Sequence, residues 1–200
     1  MLTAFQNFLY SCAISFDLPV LDWIQANMKS GFMDTVMPII TVFGDAGIFW
    51  MVISALLLIF PRTRKTGLGM AIAMMIGLIV CNITLKPLLA RTRPYDLQAE
   101  LGITIQLLGE RMHDFSFPSG HTIASFEAAV VLLKNSKKMG IPAMILAVLI
   151  AFSRLYLYVH YPTDVFASII LGTLFALIGD ALAGLIAPKL GAGKKGKYEA

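Results

Sequence analysis

The chain has 200 residues, 58% of them hydrophobic and only 14% charged, with a formal net charge of +4. Soluble domains run near 45–50% apolar and about 25% charged, and a chain this short cannot hide such an apolar excess from water. These figures count against a soluble globular domain, a disordered chain, a coiled coil and a disulfide-stapled secreted fold, and leave an integral membrane protein.

In chain order, the first feature is an apolar stripe. Leu2, Phe5, Leu9, Cys12 and Phe16 recur at steps of three and four, which predicts an amphipathic helix lying at the membrane surface within an N-terminal segment 1–30. The first Lys or Arg is Lys29, so the start does not read as a cleavable signal peptide. Six helical spans are then expected, at about 32–44, 46–60, 66–86, 119–134, 140–158 and 163–187, forming one membrane domain over 31–188. The remainder, 189–200, reads as a flexible basic tail. Cys12 and Cys81 sit in apolar surroundings without metal-ligand spacing and read as buried thiols.

Orientation follows from Lys and Arg in the joints. Arg62, Arg64 and Lys65, then Lys134, Lys137 and Lys138, then Lys189, Lys194, Lys195 and Lys197 fall on one side when six spans are counted. That side is expected to be cytoplasmic, with both termini inside, in the plasma or inner membrane. The positive charge thus serves topology, and no nucleic-acid partner is expected. Lys86, Arg91, Arg93, Arg111 and Arg154 break the rule by falling at the outer face. Ionisable groups retained there are candidates for function.

Three polar segments share that outer side: KPLLARTRP (86–94), FPSGHT (117–122) and SRLYLYVHYPTD (153–164). Lys86 and Arg93 are two helical turns apart and share a face, while Arg91 points about 140° from Lys86. On their own these cations equally suit a helix end or lipid phosphates. Ser119 reads as an N-cap, Gly120 allows close approach of a ligand, and His121 falls in a first turn whose free N–H groups favour an anion. Asp164, four residues past His160, is placed to bind one imidazole nitrogen and leave the other as a nucleophile. Tyr156, Tyr158 and Tyr161 read as an aromatic belt. Glu127 and Asp180 read as helix-packing groups without a catalytic role. The set matches phosphoryl transfer: cations and N–H donors for equatorial oxygens, a nucleophile, and a proton donor for the leaving oxygen. No carboxylate cluster or histidine spacing calls for a metal.

At these residues the sequence resembles the type-2 phosphatidic acid phosphatase superfamily, whose signature is K-x6-RP, PSGH and SR-x5-H-x3-D. Here it reads Lys86…Arg93-Pro94, Pro118-Ser119-Gly120-His121 and Ser153-Arg154…His160…Asp164, in order and without departure. The resemblance implies an all-α, six-helix membrane bundle of the haloperoxidase-like fold and an outward-facing site that hydrolyses a phosphate ester or anhydride without metal or cofactor. It also implies roles: His160 forms a phosphohistidine, Asp164 orients it, His121 protonates the leaving group, and Lys86, Arg93, Ser119, Gly120 and Arg154 bind phosphate.

Only residues 95–117 separate the first two motifs, which leaves no room for a large extracytoplasmic domain. Compact members of this kind resemble bacterial lipid phosphatases. An outward site suits undecaprenyl pyrophosphate first, with phosphatidylglycerophosphate or phosphatidic acid as the alternative. The segment Glu110, Arg111, His113 and Asp114 reads as a solvated loop first, with contact to the substrate head group as the alternative. An anion or phospholipid transporter would use the same cations, but would not require two histidines and a partnered Asp.

Overall fold

The computed structural model describes residues 2–190. The expected basic tail lies outside them from residue 191 onward, and Lys189 is described by its backbone alone. Every element among the described residues is helical.

Helix α1 (Leu2–Cys12) passes through a π-helical turn at Ala13–Asp17 into α2 (Leu18–Met28). The face that packs inward carries Leu9, Ala13, Asp17, Leu21 and Ile24, whereas Leu2, Phe5 and Phe16 of the expected stripe are exposed. The buried positions step by four from Leu9 to Leu21, across the wider π turn. This segment lies across one end of the bundle. Gln6 donates to the Leu89 carbonyl, Gln25 to the Tyr156 carbonyl, and Asp22 accepts from the Tyr158 hydroxyl.

Ser30 caps α3 (Gly31–Val42) by accepting from the Met33 N–H. A short 3₁₀ turn at Asp45–Gly47 follows, with Ala46 and Gly47 at positive φ, and leads into α4 (Ile48–Ile59). The expected joint between two spans is therefore a break within one apolar stretch, Gly31–Ile59. The contacts run in one direction. Ser30 meets Tyr156, Gly44 lies against His121 and Ile150, and Trp50 donates to Ser125. Ser54 then donates to the Gly67 carbonyl.

Helix α5 (Arg64–Gly77) continues through a π segment, Leu78–Leu85, into the single turn α6 (Lys86–Leu89). Ala90 ends that turn in the left-handed region and redirects the chain. Pro94 opens α7 (Pro94–Glu100), with φ suited to a first helical turn. After an irregular loop come α8 (Gly120–Asn135), α9 (Lys137–Tyr156) and α10 (Pro162–Ile186).

By length and composition four stretches suffice to cross a membrane: Gly31–Ile59, Arg64–Glu100, Lys137–Tyr156 and Pro162–Ile186. Helix α8, at 16 residues, is shorter than the roughly 20 a full crossing takes. It instead packs inside, with Ala128, Ala129 and Val131 fully buried. Helices α5, α8, α9 and α10 form the centre of the bundle. The α5–α10 crossing is close because Gly179 faces Gly69 and Ala73. A Cβ on Gly179 would lie 2.6 Å from the Gly69 carbonyl oxygen, the close backbone approach that small residues permit between helices in lipid. Large apolar side chains such as Ile39, Val52, Leu56, Ile83, Ile145 and Leu174 point outward, as lipid-facing residues do.

At the end opposite the N-terminal segment, Asp180 is buried and pairs with Lys65 and Lys134, and it accepts from Asn135. Its packing role is thus ionic. The two ends of the described chain lie at opposite ends of the bundle, against the expectation that placed both termini on one face.

Candidate active site

The redirected chain after Ala90 separates the two arginines of the first motif. Arg93 turns inward, 2% exposed. It donates to the carbonyls of Asp114 and Val159 and to the Asp114 carboxylate. Its Nη1 lies 3.5 Å from His160 Nε2. Lys86, at the end of the π segment, pairs with the other oxygen of Asp114. Asp114, expected in a solvated loop, therefore bridges the two cations. Burial alone would raise its carboxyl, but hydrogen bonds and charge from Lys86 and Arg93 outweigh that and hold it at about 2.

The PSGH turn brings the second motif to the same place. Ser119 is fully buried at the start of α8, where its N–H donates to Ser168 and its hydroxyl accepts from Thr122. His121 lies one residue into the helix, and its Nε2 is 2.7 Å from Asp45 Oδ1. Asp45 comes from the break between α3 and α4.

The third motif surrounds a tight turn. The N–H groups of Val159 and His160 return to the Arg154 carbonyl, and Pro162 starts α10. The Arg154 side chain is 4% exposed and donates to Thr41. His160 is buried, with Nδ1 3.5 Å from Asp164 Oδ2 and without a hydrogen-bond partner. The two groups thus lie side by side, as the spacing predicts, without a hydrogen bond between them. Burial first, then the charges of Arg93, Arg154, Lys86 and His121, push the His160 imidazole well below its usual value. It is therefore neutral at pH 7.

Asp164 is held from three sides. One oxygen accepts from Ser116 Oγ and the Tyr161 N–H, and the other accepts from Arg91. Arg91 also donates to the Leu9 carbonyl and to Asp17, and its guanidinium lies 3.9 Å over the Tyr161 ring. Redirected by the left-handed turn at Ala90, Arg91 thus lies away from Lys86 and Arg93 and holds the carboxylate beside His160. The three tyrosines do not form a belt. All are buried: Tyr156 donates to Asp34, Tyr158 to Asp22, and Tyr161 stacks on Arg91.

Lys86, Arg93, Gly120, His121 and His160 line one end of a cavity of about 730 Å³. Ser119, Arg154 and Asp164 stand behind its wall. The rest of the cavity is mainly apolar, with Met51, Leu58, Met74 and Leu78. Glu127 also lines it, 1% exposed, with Oε1 lacking a partner. Sequence reasoning missed Asp45, Asp17, Ser116 and the bridging role of Asp114. All four act across long sequence separations, and only the break-prone spacing Gly44–Gly47 marked one of them.

Known proteins are similar to this chain in sequence and in fold. An undecaprenyl-diphosphatase of Sulfolobus acidocaldarius is 39% identical over 125 residues, 62% of this chain and 58% of that relative, so the match spans under two thirds of its length. Undecaprenyl-diphosphatase BcrC of Bacillus subtilis is 29% identical over 75% of this chain and 77% of its own. The crystal structure of a transmembrane PAP2 type phosphatidylglycerolphosphate phosphatase from Bacillus subtilis superposes with a TM-score of 0.70 at 25% identity, covering 92% of this chain and 95% of that one. Residues 65–182 match the PAP2 superfamily, a stretch that carries all three motifs and more than half of the chain, and the chain belongs to that superfamily.

Proposed function

We propose that this chain is a metal-independent membrane lipid phosphatase that converts undecaprenyl diphosphate to undecaprenyl phosphate at the outer membrane face. The observation that carries the reading is the cavity itself. Two cations and two histidines stand at its head, and its body is apolar. A phosphate on a long hydrocarbon is the ligand such a cavity fits. The relatives named undecaprenyl-diphosphatase support the choice of lipid.

The reaction follows from the groups present. Lys86 and Arg93 neutralise the equatorial phosphate oxygens, exchanging Asp114 for substrate, and Arg154 adds positive field from behind. His160 Nε2 attacks phosphorus, and the bond to the leaving oxygen breaks. His121 gives that oxygen its proton. Water then attacks the phosphohistidine, His121 takes the water's proton, the P–N bond breaks and phosphate departs. Asp164 holds the His160 ring through Nδ1.

One observation favours a second substrate. Glu127 places an unpartnered carboxyl in the cavity wall, where a polyprenyl chain offers no hydrogen bond and a glycerolipid offers ester oxygens. Phosphatidylglycerophosphate or phosphatidic acid is that alternative. Purified protein assayed for phosphate release on undecaprenyl diphosphate, phosphatidylglycerophosphate, phosphatidic acid and diacylglycerol diphosphate separates them. The highest kcat/KM is expected for undecaprenyl diphosphate, unchanged in excess chelator. Lipid flux without hydrolysis would instead establish a transporter.

The topology also belongs to this reading. Counting Gly31–Ile59 as a single crossing, and the short buried α8 as a passage between the two ends of the bundle beside the four long stretches, gives five crossings. The basic residues of the Asp180 end then lie in the cytoplasm, and the N-terminal segment lies outside, beside the site. A cysteine at the exposed Asn27 is expected to react with an impermeant thiol reagent in intact cells. Protection there, with labelling only after lysis, would reverse the orientation.

A further inference from the structure

Asp45 has no counterpart in the three motifs, yet it touches the proton donor. The chain is shaped to bring it there. Gly44 packs so tightly that a Cβ would lie 2.8 Å from His121 Cδ2 and 2.9 Å from Ile150 Cγ2. Ala46 and Gly47 then take φ of 48° and 67°. Ala46 pays a steric cost for this conformation that glycine would not. The outcome is a carboxylate oxygen 2.7 Å from His121 Nε2.

We propose that Asp45 is a positioning residue for leaving-group protonation: it fixes the His121 ring through Nε2, so that Nδ1 carries the proton delivered to the leaving oxygen. This rests on the phosphatase reading. The other charged and titratable groups around His121 are Lys86 from α6, Arg154 from α9 and His160 from the turn before α10. The two cations repel an imidazolium. Asp45 supplies the opposing charge and an acceptor at one ring nitrogen, as the carboxylate partner of a catalytic histidine does. When Nδ1–H is transferred, the bond from phosphorus to the leaving oxygen breaks and that oxygen leaves as a neutral hydroxyl. His121 is left neutral with Nε2–H still bound to Asp45.

A leaving group that needs no proton gives the test. The kcat/KM values of the wild type, Asp45→Asn and Asp45→Glu are compared on short-chain phosphatidic acid, with an alkyl leaving oxygen, and on p-nitrophenyl phosphate, with a stabilised aryl one. This parameter reports the step that forms the phosphohistidine. Asp45→Asn is expected to lose about 100-fold on the alkyl substrate and to stay within about threefold on the aryl one, since general acid catalysis of this kind is worth 10²–10⁴. Asp45→Glu is expected to recover much of the alkyl activity. Equal losses on both substrates, as misfolding or a merely structural role would give, or no loss on either, overturn the proposal. A wild-type protein that releases no phosphate from any substrate overturns the phosphatase reading instead.

Discussion

His160→Gln lowers phosphate release by about 10⁴-fold or more, because no other side chain at the head of the cavity replaces a missing nucleophile. Glutamine keeps a polar planar group of similar size, so the buried site stays filled and the bundle stays folded. The wild-type imidazole is buried among cations that keep it unprotonated. Nucleophile protonation therefore takes nothing from kcat/KM between pH 7 and 6, where an ordinary histidine would begin to titrate. Phosphate release from detergent-purified protein, with a thermal melt beside it, checks both points. A variant that melts normally and keeps more than about a tenth of its activity contradicts the assignment.

Arg91→Leu is expected to unfold the site end of the protein. Arg91 is the shared partner of two carboxylates, Asp17 and Asp164, both fully buried. Removing one partner of a buried ion pair costs about 3–5 kcal/mol, since the remaining charge has neither water nor a counterion. Here two carboxylates lose it together, against a total stability of about 5–15 kcal/mol. The melting temperature falls sharply and activity is lost, because Asp164 no longer holds its place behind His160. Arg91→Lys rescues little, since one ammonium cannot span Leu9, Asp17, Thr163 and Asp164 as the guanidinium does. Asp17→Asn is milder, because the amide oxygen still accepts from Arg91 and the Thr163 hydroxyl and only the bond from the Thr163 N–H is lost. A near-normal melt and full activity in Arg91→Leu would show that the tie between the N-terminal helix and the nucleophile's carboxylate is dispensable.

These two variants also mark what the sequence makes legible. Lys86, Arg93, His121, His160 and Asp164 are readable because short motifs carry all of them, although Lys86 and Arg93 meet across the left-handed turn at Ala90 and not on one helical face. The cavity gathers four of them, with Asp164 directly behind. Arg91 is half readable: its separation from Lys86 is expected, but it comes from the left-handed turn at Ala90 and not from a helical angle, and its destination depends on Asp17, 74 positions away. Asp45 and Asp114 are invisible for the same reason, being partners supplied by the break before α4 and by the loop before PSGH. The face by which the N-terminal segment packs on the bundle is not legible, for a local reason. A π turn at Ala13–Asp17 changes the helical period that the stripe assumes. Gly44–Gly47 reads as a polar joint because glycine and aspartate usually end helices, yet here they bend a single apolar stretch so that Asp45 meets His121. The tyrosines look like interfacial anchors by composition, and only tertiary packing shows that their hydroxyls and rings bind Asp34, Asp22 and Arg91.

The central claim is that phosphoryl transfer passes through His160. Rapid acid-free quenching of the protein with lipid substrate, followed by peptide mass spectrometry, tests it most directly. The account predicts one phosphate on the peptide containing His160, absent from His160→Gln. Full turnover with no phosphorylated peptide, or with phosphate on another residue, would contradict it.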